Sequence, residues 1–531
     1  MTENGWRGTS PGVLQTDATV AEGAPSRVGP GLGALVQLTV GAIVFVALLG
    51  AVEFACGFFV GGGDLLGSLK RTQGDTVATT MKVLELAPEL NPSPLVTDFD
   101  LLWRNKPLAV KTQPVNPRPY GRDDQWTIRI DSMGFRGPER PLPTPHDGTY
   151  RILCVGDSIT FGFSVDQDAP FARRLEALLR ARYPSRPIEV VNAGVPGWSW
   201  VQGRRFLERE GLVLRPDLVI VGHGTNDQFF TARITDRERV ARLENPIIRD
   251  VEYAGVFLAR TNTYRALVWL VPPRAEPMRN SRGCEAQIKE TGSCHRLSVA
   301  EIEESVHEIR RRTAAAGADL LVLNADFMET PAVRGSRAAA EKDGIPFVDI
   351  VRRFHEQRAE DEDARAGKMG LAHAAVVRAE GSSAPRRVVL RVLVPAPPSP
   401  VSVQGQSYFS APFQLNEQMY DDGTHGDEAA GDGVFSVAVT VPAAVAAFDY
   451  KFYRDGFPEF EPLPPMPSTQ GMRLLRPEGD VIAPVAVFGD LVLMVERTHP
   501  NARGHEVITR ELAAEIEKLP SFERFTRGAR G

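Results

Sequence analysis

Cysteine is scarce in this chain, four in 531 residues, and the scarcity excludes a cysteine-built metal centre. The pair Cys284 and Cys294 has only His295 beside it, which completes no ligand set. Charge of one sign is scarce too. A net charge of −6 is small for this length, so nothing points to nucleic acid or to a strongly anionic partner. Long apolar runs are limited to one, Leu32 to Val52, broken only by Gln37 and Thr39. The acidic stretch holding Asp421, Asp422, Asp427 and Asp432 lacks the spacing of an EF-hand loop. Its carboxylates suit either a calcium ion or the Asp-Gly turns they are part of.

What is present is the composition of a globular protein, 43% hydrophobic and 24% charged, long enough for two or three folded units. The apolar run matches the ~20 residues that cross a bilayer core. Glu53 closes it, and Phe54 to Phe59 carry it to the interface. A cleaved signal peptide fits poorly, because the core is too long and a polar tail, residues 1–31, precedes it. A lipoprotein site at Cys56 is disfavoured by Glu53, which stands where such sites want leucine. The expectation is an uncleaved transmembrane signal anchor over residues 32–60. Flanking charges (Arg7 and Arg27 before, Lys70 and Arg71 after) do not set its orientation. Cys284 and Cys294 bracket a short polar loop, which suggests a disulfide and hence an oxidising compartment. The soluble part is therefore expected outside the cytoplasmic membrane, periplasmic or external.

Beyond a proline-rich lead-in, residues 64–124, strand and helix signals alternate. Ile152–Val155, Ile188–Val191, Leu218–Val221, Leu320–Leu323 and Phe347–Ile350 read as buried strands. Pro170–Tyr183, Val299–Ala315 and Gly504–Ile516 read as helices. Near-continuous apolar strands between helices predict a parallel sheet covered on both faces. Near residue 369 the texture changes. Val388–Val394 ends in a proline-rich break, and Phe435, Val437, Val439 and Val441 alternate with Ser436, Ala438 and Thr440. Short strands with Gly/Asp turns predict an antiparallel β-sandwich over residues 369–482. Its acidic stretch resembles one found in immunoglobulin-like domains of secreted bacterial proteins.

Four polar blocks each follow a strand or precede a helix. Gly156-Asp157-Ser158-Ile159-Thr160-Phe161-Gly162 follows the first strand, and Asn192-Ala193-Gly194-Val195-Pro196-Gly197 the second. Gly224-Thr225-Asn226-Asp227 follows the third, and Glu496-Arg497-Thr498-His499-Pro500-Asn501 leads into the last helix. In this order the blocks resemble the signature of the SGNH (GDSL-type) hydrolases. The resemblance covers roughly residues 125–350 and 484–520. It implies an α/β three-layer fold of the SGNH type, in two parts, 125–368 and 483–531, interrupted by the sandwich. Asp131 to Gly137 also resembles a stretch that precedes the catalytic block in membrane-anchored members, and reads equally as a packed turn.

The resemblance implies Ser158 as nucleophile and His499 as its base. The family usually places an aspartate three residues before the histidine. Here Glu496 stands there, one methylene longer, as the orienting acid. The oxyanion hole would comprise the N–H groups of Ser158 and Gly194 and the side-chain amide of Asn226, with glycine at 194 leaving room for the tetrahedral intermediate. Asp157 and Asp227 read as loop buttresses. His505 reads as packing, and His223 and His425 as loop histidines. Trp198 and Trp200 suit either a cleft lining or ordinary packing. No cofactor or metal is implied. Because the sandwich would end just before His499, it is expected to border the cleft.

Three functions fit this pattern. The first is a membrane-anchored serine esterase that removes O-acetyl or other short acyl groups from a glycan or envelope substrate. The second is an O-acetyltransferase acting on an exopolysaccharide, which needs the same triad. The third is a non-catalytic SGNH fold displaying a binding module, and only the Glu496 substitution favours it.

Overall fold

The computed structural model describes residues 30–528 apart from 60–74, 87–90, 92, 115–124, 141–147, 230–231, 260, 271–278, 326–329, 371–372, 377–383, 395–398, 408–410, 460–472, 478 and 489–498. Its centre is a five-stranded sheet, β5 (Tyr150–Gly156), β6 (Ile188–Gly194), β7 (Leu218–Gly222), β8 (Asp319–Asn324) and β9 (Phe347–Asp349). The order across the sheet is β6-β5-β7-β8-β9, and every pair is parallel. Alternate residues of one strand feed two different cores. Leu153 and Val155 pack with the helices Trp200–Arg209 and Val299–Ala315, whereas Ile152 and Cys154 pack with Phe171–Arg182 and Ala502–Ile516. Burial on both faces explains why these strands read as unbroken apolar runs.

The strand order also positions chemistry. The chain leaves β5 for β6 on one side and later returns to β7 on the other. A crevice therefore opens at the carboxyl end of β5, where the order reverses. Ser158 begins the short helix Ser158–Phe161 at that point.

Lead-in residues are more ordered than the sequence suggests. β1 (Leu95–Asp98) pairs antiparallel with β2 (Leu102–Asn105), and β3 (Val110–Pro114) with β4 (Gln125–Arg129). Trp103 and Trp126, one on each hairpin, are buried. Such strands are short, and each is held by its partner and by packing rather than by a local period.

The inserted region forms two sheets. One runs β10 (Ala375–Val376), β18 (Val481–Val487), β11 (Arg386–Leu393), β14 (Val434–Val441), and the other β13 (Gln414–Met419), β12 (Val401–Gln406), β15 (Phe448–Arg454), β16 (Phe457–Pro458), with β17 (Arg473–Leu475) on β15. Val388, Leu390 and Val392 of the first meet Val401, Val403 and Phe452 of the second in one core. Pairing is antiparallel except between β11 and β18, and β18 carries the region to Val487 instead of 482. Arg473 joins it to the helix Ile350–Lys368, pairing with Glu459 and, at 3.3 Å, with Glu362; all three are buried.

Residues Pro30–Phe59 form one helix, and with Asn262–Leu270 they make a unit of their own. Glu53 caps the second helix, accepting from the Thr263 N–H at 2.9 Å and the Thr263 hydroxyl at 2.8 Å. Among the described residues no helix is long and apolar enough to cross a membrane, so the expected transmembrane helix over 32–60 is not shown. Cys284 and Cys294 are joined as a disulfide, with Cα atoms 5.0 Å apart. Between them lies a helix, Arg282–Thr291, rather than a loop, begun by the Ser281 cap and ended by Gly292 at positive φ.

Candidate active site

Ser158 and His499 lie 341 positions apart in sequence, yet Ser158 Oγ and His499 Nε2 are 2.8 Å apart. The local chain geometry explains why the serine stands where it does. Asp157 caps the helix, its carboxylate accepting from the Ile159 N–H at 2.9 Å, and Gly162 ends it at φ 84°. Gly156 admits this turn: a Cβ there would fall 2.1 Å from Thr160 Oγ1 and 2.5 Å from the Gly222 carbonyl. Arg136, from the Asp131–Gly137 stretch, is buried beneath the same turn. It donates to the carbonyls of Phe161 at 2.9 Å, Gly162 and Val165. Burial among the rings of Trp126 and Phe161 lowers its guanidinium to about 9. This stretch therefore supports the turn that carries Ser158. Phe163 lies against the His499 ring, centroids 4.7 Å apart, and fixes one face of the imidazole.

The Asn192–Gly197 block begins in the last residues of β6 and runs beside the helix Ser158–Phe161. The Gly194 N–H donates to Asn192 Oδ1 at 3.0 Å, so this expected oxyanion donor is already engaged. Room at Gly194 is also taken: a Cβ there would lie 2.3 Å from the Phe161 nitrogen. Glycine is required here for close approach of β6 to the nucleophile helix, not to leave space for an intermediate. Three residues on, Gly197 is half-buried at φ 80°. Among the described residues nothing accepts from the Gly197 N–H or from the Ser158 N–H. The sequence block contained Gly197, but Gly-Val-Pro-Gly read only as a turn.

Asn226 stands in the helix Thr225–Phe229 and is buried. Its side-chain nitrogen donates to Asp157 Oδ2 and to the Trp198 carbonyl, both at 3.2 Å. Both bonds are at the long end of the normal range. Asp227 reaches back to the start of the helix Trp200–Arg209, accepting from the Trp200 N–H at 3.0 Å. Burial pushes its carboxyl well above the usual range, against the pull of the Arg296 charge. Trp198 and Trp200 are fully buried, so of the two readings left open for them, packing is the one observed.

Glu496 lies outside the described residues, as does all of 489–498, which joins the sandwich to His499. His505 packs in the closing helix, its Nδ1 accepting from the Phe171 N–H at 3.2 Å. His223 is buried beside Trp200, and His425 is an exposed loop residue stacked on Tyr420. In the acidic stretch Asp421, Asp427 and Asp432 gather their carboxylates. Each accepts a backbone N–H of its own loop, from Gly431, Gly423 and Val434 respectively, so the turn alone accounts for them.

Comparison with known proteins agrees with this chemistry. Residues 154–373 match the GDSL-like Lipase/Acylhydrolase family. An acetylxylan esterase of Xylanibacter ruminicola is 29% identical over 96 residues, covering 17% of this chain and 19% of that protein. The chain thus spans about a fifth of the length of the curated relative it matches. Among solved structures, an acetyl xylan esterase from Geobacillus stearothermophilus matches at 17% identity and a TM-score of 0.22, over 38% of this chain and 75% of that one. A lipase/acylhydrolase from Enterococcus faecalis matches at 15% identity and a TM-score of 0.24, over 40% and 83%. TM-scores this low carry no structural argument. The family match and the esterase relative support an ester-hydrolysing serine hydrolase.

Proposed function

We propose that this chain is a serine esterase that removes acetyl or other short acyl groups from a glycan. The carrying observation is the 2.8 Å contact between Ser158 Oγ and His499 Nε2 at the switch point of a parallel sheet. Ser158 attacks the acyl carbon while His499 takes its proton. The same imidazolium then protonates the leaving sugar oxygen, and water repeats the sequence on the acyl-enzyme. Glu496 is assigned to the other ring nitrogen as the orienting acid. The oxyanion is assigned to the N–H groups of Ser158 and Gly197, with Asn226 exchanging one of its long bonds for it. Gly194 is thereby reassigned from donor to spacer. The glycan assignment rests on the acetylxylan esterase relative.

Attachment to a membrane, with the catalytic part outside it, belongs to the same proposal. Its support is the apolar run Leu32–Val52, the exposure of large apolar side chains from Val40 to Phe54, and the disulfide. The test is hydrolysis of p-nitrophenyl esters by the full chain in detergent. We expect turnover of the acetyl ester, a fall with acyl length, and a loss of at least ~10³-fold in Ser158→Ala. Equal turnover by Ser158→Ala would reject the triad. A rate rising with chain length would reject the short-acyl assignment.

A further inference from the structure

The peptide that joins Pro196 to Gly197 is held from outside the α/β domain. The indole N–H of Trp103, on β2, donates to the Pro196 carbonyl at 2.9 Å. That carbonyl belongs to the same planar unit as the Gly197 N–H, and in a trans peptide the two point in opposite directions. A donor fixed on the oxygen therefore turns the N–H away from the Trp103 indole. It also polarises the unit, since a hydrogen bond at the carbonyl strengthens the donor at the nitrogen.

The surroundings leave Trp103 little freedom. It is 2% exposed, its own carbonyl accepts from Trp198 Nε1 at 2.8 Å, and the Arg296 guanidinium covers its ring at 5.4 Å. Arg296 also donates to the Gly197 carbonyl at 2.5 Å. The two peptides flanking Gly197 are thus held from two sides. At positive φ the residue has no Cβ to interpose, and one added there would lie 3.2 Å from the Trp103 ring.

We propose that Trp103 is a positioning residue of the oxyanion site, acting through the Pro196–Gly197 peptide. This rests on the reading of Gly197 as an oxyanion donor. It makes the lead-in part of the catalytic apparatus, although no lead-in residue need touch substrate. Asn105, two residues further along β2, supplies the contrast. It donates to the Gly194 carbonyl at 3.0 Å, but the N–H of that peptide is already spent on the Gly156 carbonyl. Its loss should act on stability rather than on the transition state.

The experiment measures kcat and KM of the full chain in detergent on p-nitrophenyl acetate, together with the rate of phosphonylation by a fluorophosphonate. Trp103→Phe keeps a ring over the loop and removes one N–H. We expect kcat to fall about fivefold with KM within about twofold, and phosphonylation to slow by the same factor, the size of one net hydrogen bond. Asn105→Ala should lower Tm at least as much with a smaller loss of kcat. If Trp103→Phe folds poorly, benzothienylalanine at position 103, which keeps the shape of Trp without its N–H, gives the same reading. Asn226→Ala reports on the underlying assignment. If it loses activity while both Trp103 replacements keep wild-type kcat, the proposal fails and the assignment stands. A kcat loss in Asn105→Ala equal to that in Trp103→Phe also overturns it. If Asn226→Ala and Ser158→Ala both keep full turnover, both fall.

Discussion

The lead-in hairpins and the inserted sandwich both pack on the α/β domain, but the lead-in contacts at the Gly194–Gly197 loop differ in chemistry from those that dock the sandwich. Around that loop the lead-in uses neutral hydrogen bonds, Trp103 to the Pro196 carbonyl and Asn105 to the Gly194 carbonyl. Its ion pairs, Asp75 with Arg239, Asp100 with Arg209 at 2.7 Å and Arg104 with Glu210, lie away from the loop. The sandwich meets the helix Ile350–Lys368 through buried charge, Arg473 between Glu459 and Glu362. A neutral bond fixes the direction of a peptide at little desolvation cost, which suits a loop that must present an N–H. A buried charge cluster is costly to desolvate and costly to break, which suits the docking of a whole domain. The first region shapes the site, and the second is held firmly at the side of the domain.

The largest test of this contrast is Glu459→Gln. It leaves Arg473 with one carboxylate in a buried setting, and stability to urea should fall by roughly 3–5 kcal/mol. Turnover per folded molecule should stay within about twofold of the wild type. A specific loss of kcat in this variant would place the sandwich in the catalytic apparatus and erase the contrast.

A smaller effect is read through pH. The lead-in contains no histidine, whereas among the described residues the α/β domain buries two. Burial lowers both imidazoles, His223 and His505, to about 3 from the ordinary 6.5; positive charge nearby adds to the shift, Arg296 at His223 and Arg136 and Arg174 at His505. Below pH 6.5 the unfolded chain takes up protons that the folded one refuses. Stability should therefore fall as pH drops from 6.5 towards 3 and stop falling on this account below 3, by on the order of a few kcal/mol. In His505→Asn an amide oxygen can still accept the Phe171 N–H, and the slope of urea midpoint against pH over that window should be shallower. An unchanged slope would show that His505 does not titrate on unfolding. The fivefold effect of Trp103→Phe on kcat is smaller still, since it corresponds to about 1 kcal/mol.

The sequence spoke clearly wherever local pattern and packing agree. Strands β5 to β9 are apolar runs because both faces are covered, and each was visible within a residue or two of its observed ends except β6, which runs three residues past Val191 to Gly194. The helix Val299–Ala315 carries its own start signal, Ser298 with Glu301, a reciprocal capping pair. Ser158 and His499 were legible because both stand in short blocks fixed to such elements. The lead-in was not, because four strands of four or five residues acquire their order from partners and packing rather than from a local period. The two glycines of the second block could not be told apart in the sequence, because which N–H is engaged depends on Asn192, whose side-chain Oδ1 accepts from Gly194. The helix between the cysteines carried a readable signal, Ser281 and Gly292, that was obscured by its polar composition.

The most direct test of the central claim is covalent labelling of the full chain with a fluorophosphonate, followed by peptide mass spectrometry. The account predicts one adduct, on Ser158, formed at least ~10²-fold more slowly in His499→Ala and absent in Ser158→Ala. An adduct on another serine, or labelling of Ser158 at an undiminished rate without His499, would contradict it.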